Sequence, residues 1–260
     1  MSHNMPAVAQ RRAETRLTKR QKRILRQEGV LDQEANINAK GFSIDKSIRP
    51  MTKNQELAFD AWEDDFNIML HGIAGTGKTF LALLFALTSV MDAKMPYTKT
   101  FIIRSTVPSR DMGFLPGNQK EKMAVYEAPY VSIATKLFGR GDAYAVLKQK
   151  NLIEFISSSF LRGETFDDCI LIVDECQNMS DQELHTIMTR VGNNCKIIFC
   201  GDVKQDDLTS ERKKEVSGLR TFMPIIKNMR EFEFVEFVAD DIVRSDLVKS
   251  YIIERDRLGL

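Results

Sequence analysis

The stretch Ile68-Met69-Leu70-His71-Gly72-Ile73-Ala74-Gly75-Thr76-Gly77-Lys78-Thr79 decides the fold, because an apolar run of strand length ends there in G-x-x-x-x-G-K-T. A phosphate chain is held mainly by backbone N–H groups that must converge on it, and glycines at 72, 75 and 77 keep side chains out of the way. Lys78 then brings a point charge to the β- and γ-phosphates, and Thr79 offers a hydroxyl to Mg2+. The helix that begins here directs its N-terminal dipole at the anion. Phe80, Leu81, Leu83, Leu84, Phe85 and Leu87 form the broad apolar side of that helix, which the spacing predicts to be buried. This strand-loop-helix context separates the motif from a glycine-rich turn that matches by chance.

Working outward toward the N-terminus, Thr52-Lys53-Asn54-Gln55 opens a predicted helix through Trp62, with Leu57, Phe59 and Ala61 as its apolar surface. A glutamine just ahead of a phosphate-loop strand can read the adenine edge, since its amide donates and accepts at once. The alternative is that Asn54 and Gln55 simply lie near a helix start.

On the other side, Thr100 to Ser105 forms a second strand that stops at Arg104-Ser105-Thr106-Val107-Pro108. Residues 109 to 150 are rich in glycine, proline and charge, including Gly113-Phe114-Leu115-Pro116-Gly117, and are expected to make an elaborated surface rather than a layer of the sheet. Lys120, Lys122 and Arg140 make a nucleic-acid channel one option there. Leu152 to Ser158 is a third strand. Ile170-Leu171-Ile172-Val173-Asp174-Glu175 is an apolar run terminated by two carboxylates, with a division of labour between them. Asp174 can hold the Mg2+ shell while Glu175, pointing differently, orients or deprotonates an attacking water.

Cys195 to Cys200 is a further strand that delivers Gly201-Asp202-Val203-Lys204-Gln205 at its end. Strand ends converge on the ligand crevice of an open α/β sheet, so Gln205 is placed to sense the γ-phosphate. Phe232 to Val238 is the last strand. A helix from about Ser245 follows, carrying Leu247, Val248, Tyr251, Ile252 and Leu258 and preceded by Arg244. The expectation is an α/β domain over residues 51–260, a mostly parallel sheet with helices on both faces, joined to a basic arm and linker over 1–50.

The net charge of +1 hides an asymmetry, because residues 1–50 hold 11 Lys/Arg against 5 Asp/Glu while the rest of the chain is acidic. Arg11, Arg12, Arg16, Lys19, Arg20, Lys22, Arg23 and Arg26, with Ala13, Leu17 and Ile24 on one stripe, could form a basic helix on a polyanion, with steeply salt-dependent binding. A solvated arm without a dedicated partner is the alternative. No apolar run approaches the roughly 18 residues that cross a bilayer, and the polar start lacks a signal-peptide core. The expected setting is therefore soluble and cytoplasmic, with no membrane partner. Cys169, Cys176, Cys195 and Cys200 lack C-x-x-C pairing and read as buried reduced thiols. The scattered His3, His71 and His185 suggest no metal site, and His71 reads as a packing residue at the loop's mouth.

Taken together, these residues resemble the PhoH-like family of P-loop ATPases, and in particular its short phage-type members, over about residues 50 to 253. The resemblance rests on Gly72 to Thr79, Gly113 to Gly117, Arg162-Gly163, Asp174-Glu175-Cys176-Gln177-Asn178, Thr189-Arg190 with Gly192, Gly201-Asp202 with Gln205, Ser217-Gly218-Leu219, and Asp241-Ile242-Val243-Arg244. Cys176 stands where the family usually has alanine, a small buried residue in place of another. No nuclease segment accompanies these motifs, so the RNA-cutting activity of longer relatives is not carried over.

The resemblance implies a RecA-like core similar to the first motor domain of superfamily 1 helicases, with ATP and Mg2+ as ligands. It assigns Gln55 to adenine, Lys78 and Thr79 to phosphate and metal, Asp174 and Glu175 to metal and water, and Gln205 to the γ-phosphate. Helicases of that class build the ATP site between two cores, and phosphoryl transfer needs a further cation against the developing charge. A homo-oligomer, a ring such as a hexamer, is therefore expected to supply it, with Arg244 as the favoured catalytic finger and Arg162, Arg190 and Arg104 as alternatives. The leading expectation is an ATPase coupled to single-stranded RNA or DNA, RNA favoured. An ATP-dependent regulatory or protein-remodelling switch is the second, and a small-molecule kinase ranks last.

Overall fold

Six strands run parallel in one sheet, β1 Asn67–Gly72, β2 Lys99–Arg104, β3 Ile153–Ser157, β4 Cys169–Asp174, β5 Cys195–Gly201 and β6 Phe232–Phe237, in the spatial order β3-β2-β4-β5-β1-β6. The structure is a computed structural model and describes residues 42–106, 119–161, 163, 165–202 and 218–258. Parallel strands covered on both faces read as continuous apolar runs, and β4 is buried along its whole length. One core on one face contains Ile68, Leu70, Ile102, Ile170, Ile172 and Ile198. The other contains Met69, Ile103, Leu171, Val173, Ile197 and Phe199, the alternate residues of the same strands.

Helices α1 Lys53–Glu63, α2 Lys78–Val90, α3 Gln119–Phe138 and α4 Ala143–Gln149 cover the first face, and α5 Asp181–Met188 and α6 Leu219–Lys227 the second. The expected α/β architecture, a parallel sheet with helices on both faces, is what the chain adopts. Each predicted strand is present, with ends within a residue or two of the expected ones.

The region 109 to 150 departs from its expectation. It includes α3 and α4, which form a layer on the sheet rather than a surface elaboration, with Tyr130, Ala134 and Leu137 wholly buried. Those three recur at i, i+4 and i+7, the stripe of a packed helix. Residues 42–50, expected as linker, also lie on the body. Phe42 is buried and stacks on Phe138 at 4.4 Å between ring centroids, and the Asp45 N–H donates to Leu137 O at 2.8 Å. The basic stretch 11–26 falls outside the described residues, as do Arg162, Gln205, Ser217 and Gly113 to Gly117. The last described helix, α7 Asp246–Arg257, has no buried residue, and Leu247 and Tyr251 are 81% and 62% exposed. No helix among the described residues is long and apolar enough to cross a membrane.

Candidate nucleotide site

The glycine-rich loop leaves the end of β1, and its course is set by close backbone approach. Gly72 has φ +111°, and a Cβ there would stand 2.1 Å from the Phe237 carbonyl oxygen, a clash no side chain could relieve. The Ile73 N–H donates to that same oxygen at 3.1 Å, so the loop is tied to β6. Gly75 and Gly77 also take positive φ. Gly77 is the N-cap of α2 and offers no side-chain cap, which leaves the first N–H groups of the helix open to an anion.

Beside this helix end lies a cavity of about 820 Å³, lined by Gly75, Gly77, Lys78, Thr79, Asp174, Glu175 and Asp202, with Gln55, Arg104 and Arg244 on its walls. The Lys78 ammonium folds back to donate to the carbonyls of Gly72 (2.7 Å) and Ile73 (2.8 Å). Burial pushes it below its ordinary pKa, against the opposing pull first of Asp202 and then of neighbours that include both acids. A phosphate chain would give this charge the anionic partner that two carbonyls only mimic.

Asp174 ends β4, separated from β1 by β5. Its Oδ1 accepts the Thr79 hydroxyl at 2.9 Å and its Oδ2 the Tyr130 hydroxyl at 2.8 Å. Burial, and after it the charge of Glu175, raises the Asp174 carboxyl above its ordinary value, although both hydrogen bonds and Arg104 oppose the shift. A hydroxyl and a buried carboxylate are hard oxygen donors that suit Mg2+, and a cation there would offset the burial cost; these residues fit the metal, with Thr79 and Asp174 the ones to hold it.

Glu175 follows with φ +51°, so its side chain departs from that of Asp174, and Gln177 Nε2 donates to its Oε2 at 2.6 Å. The other end of the Gln177 amide accepts the Asp202 N–H at 3.1 Å, linking the ends of β4 and β5.

Gln55 is 5% exposed and braces the loop: its Nε2 donates to Thr76 O at 3.0 Å and its Oε1 accepts the Met51 N–H at 2.9 Å. These two bonds use one N–H and one lone pair of the amide and leave one of each. Arg244 packs on the loop of its own chain, its Cγ 3.2 Å and its Nε 3.6 Å from where a Cβ on Gly75 would stand. The next residue back, Val243, donates its N–H to Gly75 O at 3.1 Å. Of the alternative arginines, Arg104 lines this cavity, whereas Arg190 lines a smaller one near β2 and β3.

Arg140, suggested for a nucleic-acid channel, is bonded to Asp142 and lies over the Phe42 ring. His71 packs edge-on toward Phe234 at 6.3 Å. Cys169, Cys176 and Cys200 are buried free thiols, as expected, and Cys195 is half-buried. Sequence reasoning missed Tyr130 and Gln177 as site residues. The apolar spacing around Tyr130 was a usable signal; nothing local marks Gln177 as a brace.

A parallel α/β sheet with a glycine-rich loop at one strand end, an uncapped helix N-terminus behind it and an acid pair across the crevice defines a P-loop nucleotide-binding protein. The family model described as PhoH-like protein matches residues 47–254, and the chain belongs to that family. It is 32% identical over 231 residues to the PhoH-like protein of Bacillus subtilis (strain 168), covering 88% of this chain and 69% of that one. To the PhoH-like protein of Mycobacterium leprae (strain TN) it is 31% identical over 210 residues, 80% of this chain but only 58% of the relative. Solved structures align more loosely. The large terminase from a thermophilic bacteriophage is 12% identical with a TM-score of 0.48, over 78% of this chain and 50% of that one, too distant to add to what the sheet itself shows.

Proposed function

We propose that the chain is a Mg2+-dependent ATPase in which the loop amides and Lys78 bind the phosphates, Thr79 and Asp174 face the metal, and Glu175 orients the attacking water. The carrying observation is the split between the two acids. Thr79 and Tyr130 engage Asp174, while Glu175 is turned away by its left-handed backbone and held by Gln177. One acid suffices for binding; a second, separately oriented one suits hydrolysis. A divalent cation bound there supplies charge against the phosphate oxygens. Gln205 completes the proposal as the γ-phosphate sensor, from the sequence alone. Gln55 lines the same cavity, and adenine is the base proposed for it.

Coupling to single-stranded nucleic acid, RNA favoured, is part of the same proposal, supported by the helicase-like set of sequence motifs and the basic arm. The test is the ATPase rate at low salt with and without single-stranded RNA or DNA, for the full chain and for a chain lacking residues 1–28. A rate and an affinity indifferent to both polymers would remove the coupling.

The oligomer enters on the sequence resemblance alone. Arg244 and Arg104 both line the cavity of their own chain, which supports a role in cis for Arg244 over the trans role expected from sequence. A second reading, an ATP-dependent switch acting on a protein, is favoured by the exposed apolar side chains of α7. It gains if nucleic acid leaves the full chain unaffected.

A further inference from the structure

We infer that Tyr130 is the positioning residue that orients Asp174 for the metal; the inference rests on the ATPase reading above. Tyr130 stands on α3, wholly buried, and gives its single hydroxyl proton to Asp174 Oδ2 at 2.8 Å, leaving Oδ1 to the Thr79 hydroxyl at 2.9 Å. A phenol has one proton to donate, and here that proton is committed to Asp174. Arg104, whose Cα faces that of Asp174 in the β2–β4 ladder, adds positive charge beside the pair.

The sheet sets this geometry. Arg104 and Asp174 are Cα partners in the β2–β4 ladder, and α3 lies over both strands' side of the cavity, its Pro129, Ser132, Ile133 and Lys136 on the wall. A carboxylate on a two-bond stem rotates freely unless both oxygens are engaged. With Oδ2 pinned by Tyr130, the edge that faces Thr79 and the loop has one orientation. Without that bond, Oδ2 is a buried acceptor with no partner, which is costly and invites rotation away from the metal position.

A purely packing role for Tyr130, whose ring also lies 5.8 Å from that of Phe155, would affect stability and leave the metal alone. The discriminating experiment is a Mg2+ titration of fluorescent ADP-analogue binding to the full chain and to Tyr130→Phe. The Mg2+ midpoint is expected to rise about tenfold, as for other residues that hold a metal ligand. Metal-free nucleotide affinity should stay unchanged, and kcat should fall with KM for ATP unaltered at saturating Mg2+.

An unchanged midpoint in a folded Tyr130→Phe overturns the inference and leaves the ATPase reading standing. A wild-type chain whose nucleotide binding ignores Mg2+ overturns both. Should Tyr130→Phe fail to fold by circular dichroism, 3-fluorotyrosine placed site-specifically at 130 takes its place. Its more acidic hydroxyl is the stronger donor, so a lowered midpoint supports the assignment and an unmoved one overturns it.

Discussion

Glu175 holds a left-handed backbone conformation at φ +51°, which costs a non-glycine residue roughly 1–3 kcal/mol. That strain is consistent with a side chain whose direction matters more than its stability. Replacing it by glutamine keeps the shape and the Gln177 neighbour but removes the charge that would orient water. Glu175→Gln should therefore retain Mg-nucleotide binding and lose about 100-fold or more in kcat, checked by equilibrium binding beside steady-state turnover. Wild-type turnover would take Glu175 out of the mechanism. Gly72 bears a different constraint, since any Cβ meets the Phe237 carbonyl. Gly72→Ala should lower unfolding free energy by at least ~2 kcal/mol, from overpacking and positive φ together, read by denaturant titration. The glycine pattern was legible in the sequence because it answers a local backbone demand. The Gln177 brace was not, because the partner it positions is chosen by how β4 and β5 end.

Among the elements, α1 is fastened at its start to both the loop and the end of β6. Gln55 bridges Met51 and Thr76, and Asn54 Nδ2 donates to Asp241 Oδ2 at 2.7 Å, the oxygen that also takes the Val238 N–H. Gln55→Ala removes two hydrogen bonds from the loop's support and should weaken nucleotide binding about tenfold, measured with a fluorescent analogue. Burial alone would raise the Asp241 carboxyl, but hydrogen bonds from Thr52, Val238 and Asn54 outweigh it and hold the group below its ordinary 3.8. A depressed acid contributes stability above its unfolded pKa and loses it as pH falls through the folded one. Asp241→Asn should thus melt lower than wild type at pH 7, with the gap closing as the pH drops below 3.8. A gap independent of pH would show that the charge is not what matters. The glycine, proline and charge content around α3 masks its helical stripe of Tyr130, Ala134 and Leu137. For α5, the Ser180 and Glu183 capping box is a local start signal written in the sequence.

At the scale of the whole molecule, the crevice collects charge from distant parts of one chain: Lys78 after β1, Arg104 at the end of β2, Asp174 and Glu175 at β4, and Arg244 after β6. If Arg244 serves its own nucleotide, mixing Arg244→Ala with Lys78→Ala should give no more ATPase activity than the two alone. Recovered activity would instead place the arginine in a neighbour's site. Solution mass with and without a non-hydrolysable ATP analogue then tests the ring separately from the arginine.

What the sequence determined by itself was everything fixed by neighbours along the chain: the apolar strands, the glycine-rich loop with Lys78 and Thr79, and the acid pair that ends β4. Only the tertiary structure decided which side chains reach one another across the sheet. It put Tyr130 on Asp174, Gln55 under the loop and Arg244 against Gly75 of its own chain. The physical reason is that a local conformation depends on a few adjacent residues, whereas a hydrogen bond between residues 21 or 44 positions apart depends on strand order and helix placement, which no single stretch encodes.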